Sequence, residues 1–342
     1  MGIPCKCLFD FLKNYLIHLN AKHIIMNNQR RLFLSQMSLV AGVAALSKPM
    51  DSMAAISKRL NSLYKAKTDV TIYHTNDLHG NINAAYNNIG GLDQIKNLLQ
   101  SQETSGLLLD AGDFIDGANS LEQQKKMIYA MNATGYHAAA IGNHELALGQ
   151  DHLAALVPLM QFALVNCNYR FDSALSRLVK PYVIINSGQY KIGITGVGHK
   201  VKGVVYNDAI LCANQTAKLL KEKENCDVVI CLSHLGYQQK DNEPDNKALA
   251  RASNHIDMII SGHNRKLLSG QLVMLNKQKQ EVLISHAAWN GLMMGKTTFR
   301  FSSGKQKSNI DARYLIPGQP YGQKFAASFA GLRLMEKQLI SA

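Results

Sequence analysis

From Val70 to Phe301, short apolar runs rich in β-branched residues alternate with stretches whose apolar positions recur every three or four residues. The first pattern predicts buried strands and the second amphipathic helices. Val70–Tyr73, Leu107–Leu109, His137–Ile141, Phe162–Asn166, Lys191–Val197, Val228–Leu232, Met258–Ile260, Glu281–Ile284 and Lys296–Phe301 read as strands. Gly90–Gln102, with apolar residues at 92, 95, 98 and 99, reads as a helix. So do Ser120–Ala133, Ala154–Gln161, Asn214–Lys223, Asn246–Ala252 and the segment from Gly322 onward. This alternation predicts an α/β layered domain. No Pro/Gly-rich linker and no fixed-period repeat divides residues 60–342, so a single domain is placed at 60–316, followed by a helical tail at 317–342.

Five of the strands end in polar residues able to bind a metal: Asp77 and His79, Asp113, Asn143 and His144, His234, and His263. Ligand sites of open α/β sheets lie beyond the carboxyl ends of strands. Asp77 and His79 are two residues apart, and in extended backbone such side chains point the same way. A hard carboxylate oxygen with a borderline imidazole nitrogen suits a divalent transition ion. Gly80, Gly112, Gly142 and Gly262 beside these residues allow tight turns and close backbone approach.

The blocks His74-Thr-Asn-Asp-Leu-His-Gly80, Gly112-Asp113, Gly142-Asn-His-Glu145, Ser233-His-Leu-Gly236 and Ser261-Gly-His263 resemble the calcineurin-like metallophosphoesterases. Within that family the chain is most similar to the catalytic domain of the bacterial 5′-nucleotidase and 2′,3′-cyclic phosphodiesterase group. A weaker block runs from His286 to Gly291, with Gly295 beyond it, and the resemblance covers residues 70–301. It implies a layered αββα sandwich with the active site at the carboxyl ends of the strands. It also implies two divalent ions, with Mn, Zn, Fe, Mg and Ca all open. Asp77 and His79 would hold the first ion, Asp113 would bridge both, and Asn143, His234 and His263 would complete the second. His144 would act on the substrate phosphoryl group or its leaving oxygen. Asn76 and Glu145 would orient the ligating groups.

Two departures from the family pattern stand out. Where a His or Gln usually ligates the first ion, this chain has Arg265, which stays protonated and cannot ligate. The first position is therefore expected to be weaker, to use Asn264 or water, or to hold no ion, with Arg265 and Asn143 available to meet a substrate phosphate. The Asp that often follows Asn-His-Glu is also absent, with Leu146-Ala147-Leu148 in its place, so His144 is expected to be less well oriented.

The implied activity is hydrolysis of nucleoside monophosphates or 2′,3′-cyclic nucleotides by a metal-activated water. Two alternatives stay open: hydrolysis of a sulfur or sugar-phosphate ester on the same scaffold, and a degenerate, non-catalytic binder of metal or phosphate. His74, His137, His199 and His255 read as structural, His286 is a candidate to approach the ions, and Trp289 could stack on a base or pack in the core.

At the N-terminus, Arg30-Arg31 followed by Phe33 and Leu34, an apolar stretch to Leu46 and Ser52-Met53-Ala54 resemble a twin-arginine signal peptide. The signal is placed at 26–54, and residues 1–25 read as an extension preceding the true start at Met26. The expectation is therefore a periplasmic or exported protein, delivered by the twin-arginine machinery without a stable membrane anchor. The formal charge is +13, and +9 without residues 1–54. A basic surface suits small anionic substrates. The lysines and arginines are scattered, with no basic stripe interleaved with aromatics, which excludes a nucleic-acid polymer as the main partner. Cys167, Cys212, Cys226 and Cys231, each near apolar residues, read as buried free thiols.

Overall fold

The computed structural model describes residues 69–84, 89–239, 243–318 and 327–334. The expected extension at 1–25 and signal at 26–54 lie outside these residues, and of the expected tail residues 327–334 are helical. In chain order the elements are β1 (Asp69–Thr75), α1 (Leu92–Gln100), β2 (Leu107–Asp110), α2 (Leu121–Thr134), β3 (Ala138–Ala140), α3 (Gln150–Leu156), β4 (Ala163–Val165), β5 (Tyr169–Arg170) and α4 (Ser173–Leu178). They continue as β6 (Tyr182–Ser187), β7 (Tyr190–Gly198), β8 (Val205–Tyr206), α5 (Ala209–Glu222), β9 (Val228–His234), α6 (Asn246–Ala252), β10 (Met258–Ser261), β11 (Leu272–Leu275), β12 (Glu281–Ser285), β13 (Met294–Phe301) and β14 (Lys307–Leu315).

Two six-stranded sheets form the middle of the molecule, in the orders β14-β13-β1-β2-β3-β4 and β11-β12-β10-β9-β7-β6. β1 to β4 run parallel, as do β7, β9, β10 and β12. The antiparallel strands are added at the sheet margins. Val70, Ile72, Leu107 and Leu109 of one sheet pack against Ile192, Ile194, Ile230 and Ile260 of the other. Each such side chain contributes ~1.5–3 kcal/mol when fully buried. The outer face of the first sheet is covered by Leu92 and Ile95 of α1 and by Met127, Ile128 and Met131 of α2. The outer face of the second is covered by Ala209, Ala213, Ala217 and Leu220 of α5 and Leu249 of α6. The result is the αββα sandwich.

Strands buried on both faces explain why their sequences are continuous apolar runs rather than alternating ones. The alanines of α5, spaced by four, let that helix lie close to β7, where a Cβ on Gly193 would sit 3.0 Å from Leu220. α2 begins at a capping box in which Ser120 and Gln123 satisfy each other's backbone N–H groups, and ends at Gly135 with φ 90°.

Several boundaries differ from the pattern. α5 begins at Ala209, five residues early, because Asp208 accepts the Leu211 N–H and caps it there. α3 starts at Gln150 and passes into a 3-10 turn at Val157–Leu159 that carries Pro158. β5, β6, β8, β11, β14 and α4 had no sequence signal strong enough to mark them. Trp289 is fully buried with Leu267, Leu292, Met293, Tyr314 and Leu332, so it is a core residue and does not face a base. Cys167, Cys212, Cys226 and Cys231 are free thiols, of which Cys226 and Cys231 are buried.

Candidate metal centre

The loops after β1 and β2 are stitched together by their backbones. Asp77 N donates to Gly112 O (3.0 Å), His79 N to Asp113 O (2.9 Å) and Gly80 N to Phe114 O (2.9 Å). Asp77 and His79 are not in extended backbone. Their φ angles are 53° and 47°, and Asp113 and His263 are also left-handed at 57° and 82°. The extended-backbone expectation is therefore corrected: a tight turn, not a pleat, sets the directions of these two side chains, and each approaches Asp113 in a cluster of its own. Non-glycine residues in this region are uncommon and persist where surrounding structure holds them. The Asp113 carboxylate sits against Gly142, where a Cβ would lie 2.2 Å from Oδ1.

The six expected donors converge from both sheets. His234 Nε2 lies 3.0 Å and His79 Nε2 3.9 Å from Asp113 Oδ2, and His263 Nδ1 lies 3.2 Å from Asn143 Oδ1. The backbone N–H of His263 donates to both oxygens of Asp77 (2.9 and 3.1 Å). Asp77, Asp113 and His234 each offer a ligand atom within 4.8 Å of the others; so do His79, Asp113 and His144.

Asn76 donates from Nδ2 to Asp77 Oδ2 (2.7 Å) and to Ala288 O, while its Oδ1 accepts from Ala287 N (2.8 Å). Glu145 is fully buried and accepts N–H groups from Asp113 (2.8 Å), Gly142 (2.8 Å) and Ile115 (3.1 Å), tying two ligand loops together.

The electrostatics of this group call for a cation. His234 Nδ1 donates to Ala111 O (2.8 Å), so its Nε2 faces the Asp113 carboxylate, and a proton or a cation has to lie between the two. That Nε2 is fully buried, 3.0 Å from Asp113 Oδ2. Burial alone would raise Asp113 and lower His234, but their contact reverses both. It holds Asp113 well below the carboxylate range and lifts His234 to about 10. Burial lifts Asp77 to about 7 against the pull of His234, with the Asp113 charge adding to the rise. Burial, His234 and His199 drive His263 down to about 3. Two carboxylates ringed by the imidazoles of His79, His234 and His263 in a dry pocket form a donor set that fits divalent ions.

His144 donates its N–H to Asp113 Oδ1 (2.8 Å), and its Nδ1 lies 3.1 Å from Asp116 Oδ1. The Asp missing after Asn-His-Glu therefore has a counterpart in the loop after β2. Asn264 Oδ1 accepts the Tyr237 N–H (2.7 Å). Arg265 is exposed, and its charge adds to the lowering of His79 that burial begins. His286 is fully buried, with Nδ1 3.0 Å from Ser261 O, and belongs to none of the ligand clusters found among the described residues.

The site also holds Asp116, Asn290, whose Oδ1 lies 3.1 Å from His79 Nδ1, and His199, which reads as structural in the sequence but whose ring centroid is 4.1 Å from that of His263. Asn290 lies in the weak block from His286 to Gly291, and His199 directly follows the last residue of β7; Asp116 carried no signal of its own.

The calcineurin-like phosphoesterase family profile matches residues 70–264, more than half of the chain. The chain belongs to the calcineurin-like phosphoesterases. It is 27% identical over 292 residues to Protein UshA of Yersinia enterocolitica, covering 74% of this chain and 52% of that protein. It is 25% identical to a 5′-nucleotidase of Vibrio parahaemolyticus, covering 81% of this chain and 55% of that protein. The chain thus spans about half the length of these relatives. The crystal structure of a 5′-nucleotidase precursor from Thermus thermophilus shares the fold, with a TM-score of 0.66 at 22% identity over 80% of this chain and 59% of that one. Calcineurin-like phosphoesterases use divalent metals, and the two clusters around Asp113 are where this member offers donors for them.

Proposed function

We propose that this calcineurin-like phosphoesterase hydrolyses nucleoside monophosphates or 2′,3′-cyclic nucleotides at a dinuclear centre held by Asp77, His79, Asp113, Asn143, His234 and His263. The observation that carries this reading is the convergence of those side chains on Asp113, with the buried His234 Nε2 3.0 Å from its Oδ2. Relatives named 5′-nucleotidase support the substrate class. The bound ions supply Lewis-acid stabilisation of the phosphoryl oxygens and a water acidified toward ~7.

The chain's own residues do the rest. Asp113 brings the negative charge that lets two dications sit close together. Asn76 and Glu145 fix the ligand loops. His144 keeps Nε2 toward the leaving oxygen and gives it a proton, while Asp116 accepts Nδ1–H and so fixes the tautomer. Arg265 meets the substrate phosphate from the rim, in place of ligating the first ion.

Chelated protein is expected to lose activity on AMP, 2′,3′-cyclic AMP and bis(p-nitrophenyl) phosphate, and to recover it with added Mn²⁺ or Zn²⁺. No turnover of any phosphoester by protein carrying bound ions would overturn the reading.

We also place the protein outside the cytoplasm, exported through the twin-arginine route by residues 26–54, on the strength of Arg30-Arg31 and the apolar stretch behind them. Among the described residues no helix is long and apolar enough to cross a membrane. Combining Arg30→Lys with Arg31→Lys is expected to leave the full chain in the cytoplasm on cell fractionation, and unchanged export would refute the route.

A further inference from the structure

β7, β9 and β10 are adjacent parallel strands, and each delivers a histidine at its carboxyl end: His199, His234 and His263. The first of these belongs to none of the blocks that define the family resemblance.

Its place is firmly built. Gly198 N donates to Asn168 Oδ1 (2.9 Å), Asn168 Nδ2 donates to Gly198 O (2.9 Å), and the Tyr169 hydroxyl donates to His199 O. The His199 ring is half-buried, 4.1 Å from the His263 ring and 5.9 Å from the His234 ring between centroids. Its Nδ1 lies 3.1 Å from the backbone oxygen of His234. A carbonyl only accepts, so Nδ1 carries the proton and the neutral ring is left with an Nε2 lone pair. That arrangement repeats the one at His234, whose Nδ1 is held by Ala111 O. An imidazole with one nitrogen anchored on a carbonyl is the usual form of a metal-ligating histidine. A lone pair cannot donate to a phosphate oxygen, and a protonated ring beside dications would be repelled. One ligand atom from each of His199, His234 and His263 lies within 4.8 Å of the others.

Resting on the dinuclear reading above, we infer that His199 is a third imidazole ligand of the second ion and makes that position selective for Zn²⁺ over Mn²⁺ and Mg²⁺. With His199 the set at that ion becomes three imidazoles, one amide oxygen and one carboxylate. Nitrogen-rich sets favour late first-row ions, whereas Mg²⁺ and Mn²⁺ suit oxygen.

The test is competition titration of metal-depleted full chain with Zn²⁺ and with Mn²⁺, for wild type, His199→Ala, His199→Phe and His234→Ala. Far-ultraviolet circular dichroism shows that each variant is folded. Both His199 variants are expected to lose ~10–100-fold in Zn²⁺ affinity, the scale of loss at metal-orienting positions, and to lose much less for Mn²⁺. The Co²⁺-loaded protein should change its visible absorption in step. His199→Phe keeps a ring against His263 but has no lone pair. If it binds Zn²⁺ as wild type does while His234→Ala does not, His199 only packs and the inference is overturned with the dinuclear reading intact. If His234→Ala also binds as wild type does, both are overturned.

Discussion

Asp113→Asn is expected to empty the centre of ions and lower turnover by ~10³-fold or more, the several kcal/mol that charge stabilisation by bound ions supplies. The change removes one negative charge and, with it, the charge contact to His234. Asp113 Oδ1 accepts the His144 N–H at 2.8 Å, and an amide oxygen can accept it equally. Glu145 contacts Asp113 through the backbone N–H, which the substitution leaves in place. The fold should therefore survive, and the loss should fall on metal binding, since a neutral oxygen no longer offsets two dications. Elemental analysis and turnover of bis(p-nitrophenyl) phosphate read the result. A variant holding wild-type metal with unchanged turnover would mean that Asp113 does not bridge.

His144→Gln is expected to lower kcat by ~10²–10⁴-fold on substrates with poor, alkoxide leaving groups, the usual span of general acid catalysis. On p-nitrophenyl esters, whose leaving group needs no proton, the loss should be far smaller. Asp116→Asn should show the same dependence on leaving group at reduced size, because it acts only through the orientation of His144, 3.1 Å away. KM should change little in either case. Equal losses on both kinds of ester would assign His144 to phosphoryl charge stabilisation and remove Asp116 from proton transfer.

The fold was readable because its strands are buried on both faces. Val228–Leu232 and Met258–Ile260 are uninterrupted apolar runs, and such runs stop where the sheet stops. Marginal strands such as β11, with alternately exposed Val273 and Leu275, left a weaker trace. The donors that converge on Asp113 were visible one by one as polar residues at strand ends. Their geometry was not visible, since nothing local announces that Asp77 and His79 adopt left-handed backbone. Partners from different loops were hidden for a related reason. Asp116 and His144 are 28 residues apart and meet only through the pairing of β2 with β3. His199 was set aside because a lone histidine after a glycine is ordinary until its two neighbours are seen.

Asp77, His79, Asp113 and Asn143 hang from the first sheet, while His234 and His263 hang from the second. Ions held by all six would add a further fastening between two halves of the sandwich that meet through apolar packing and through hydrogen bonds such as His263 N–H to Asp77. Occupancy at a hundred times the dissociation constant adds ~2.7 kcal/mol against unfolding. A cell short of the ion would then lose the protein as well as its activity, because chains left unfastened open more often and are degraded sooner.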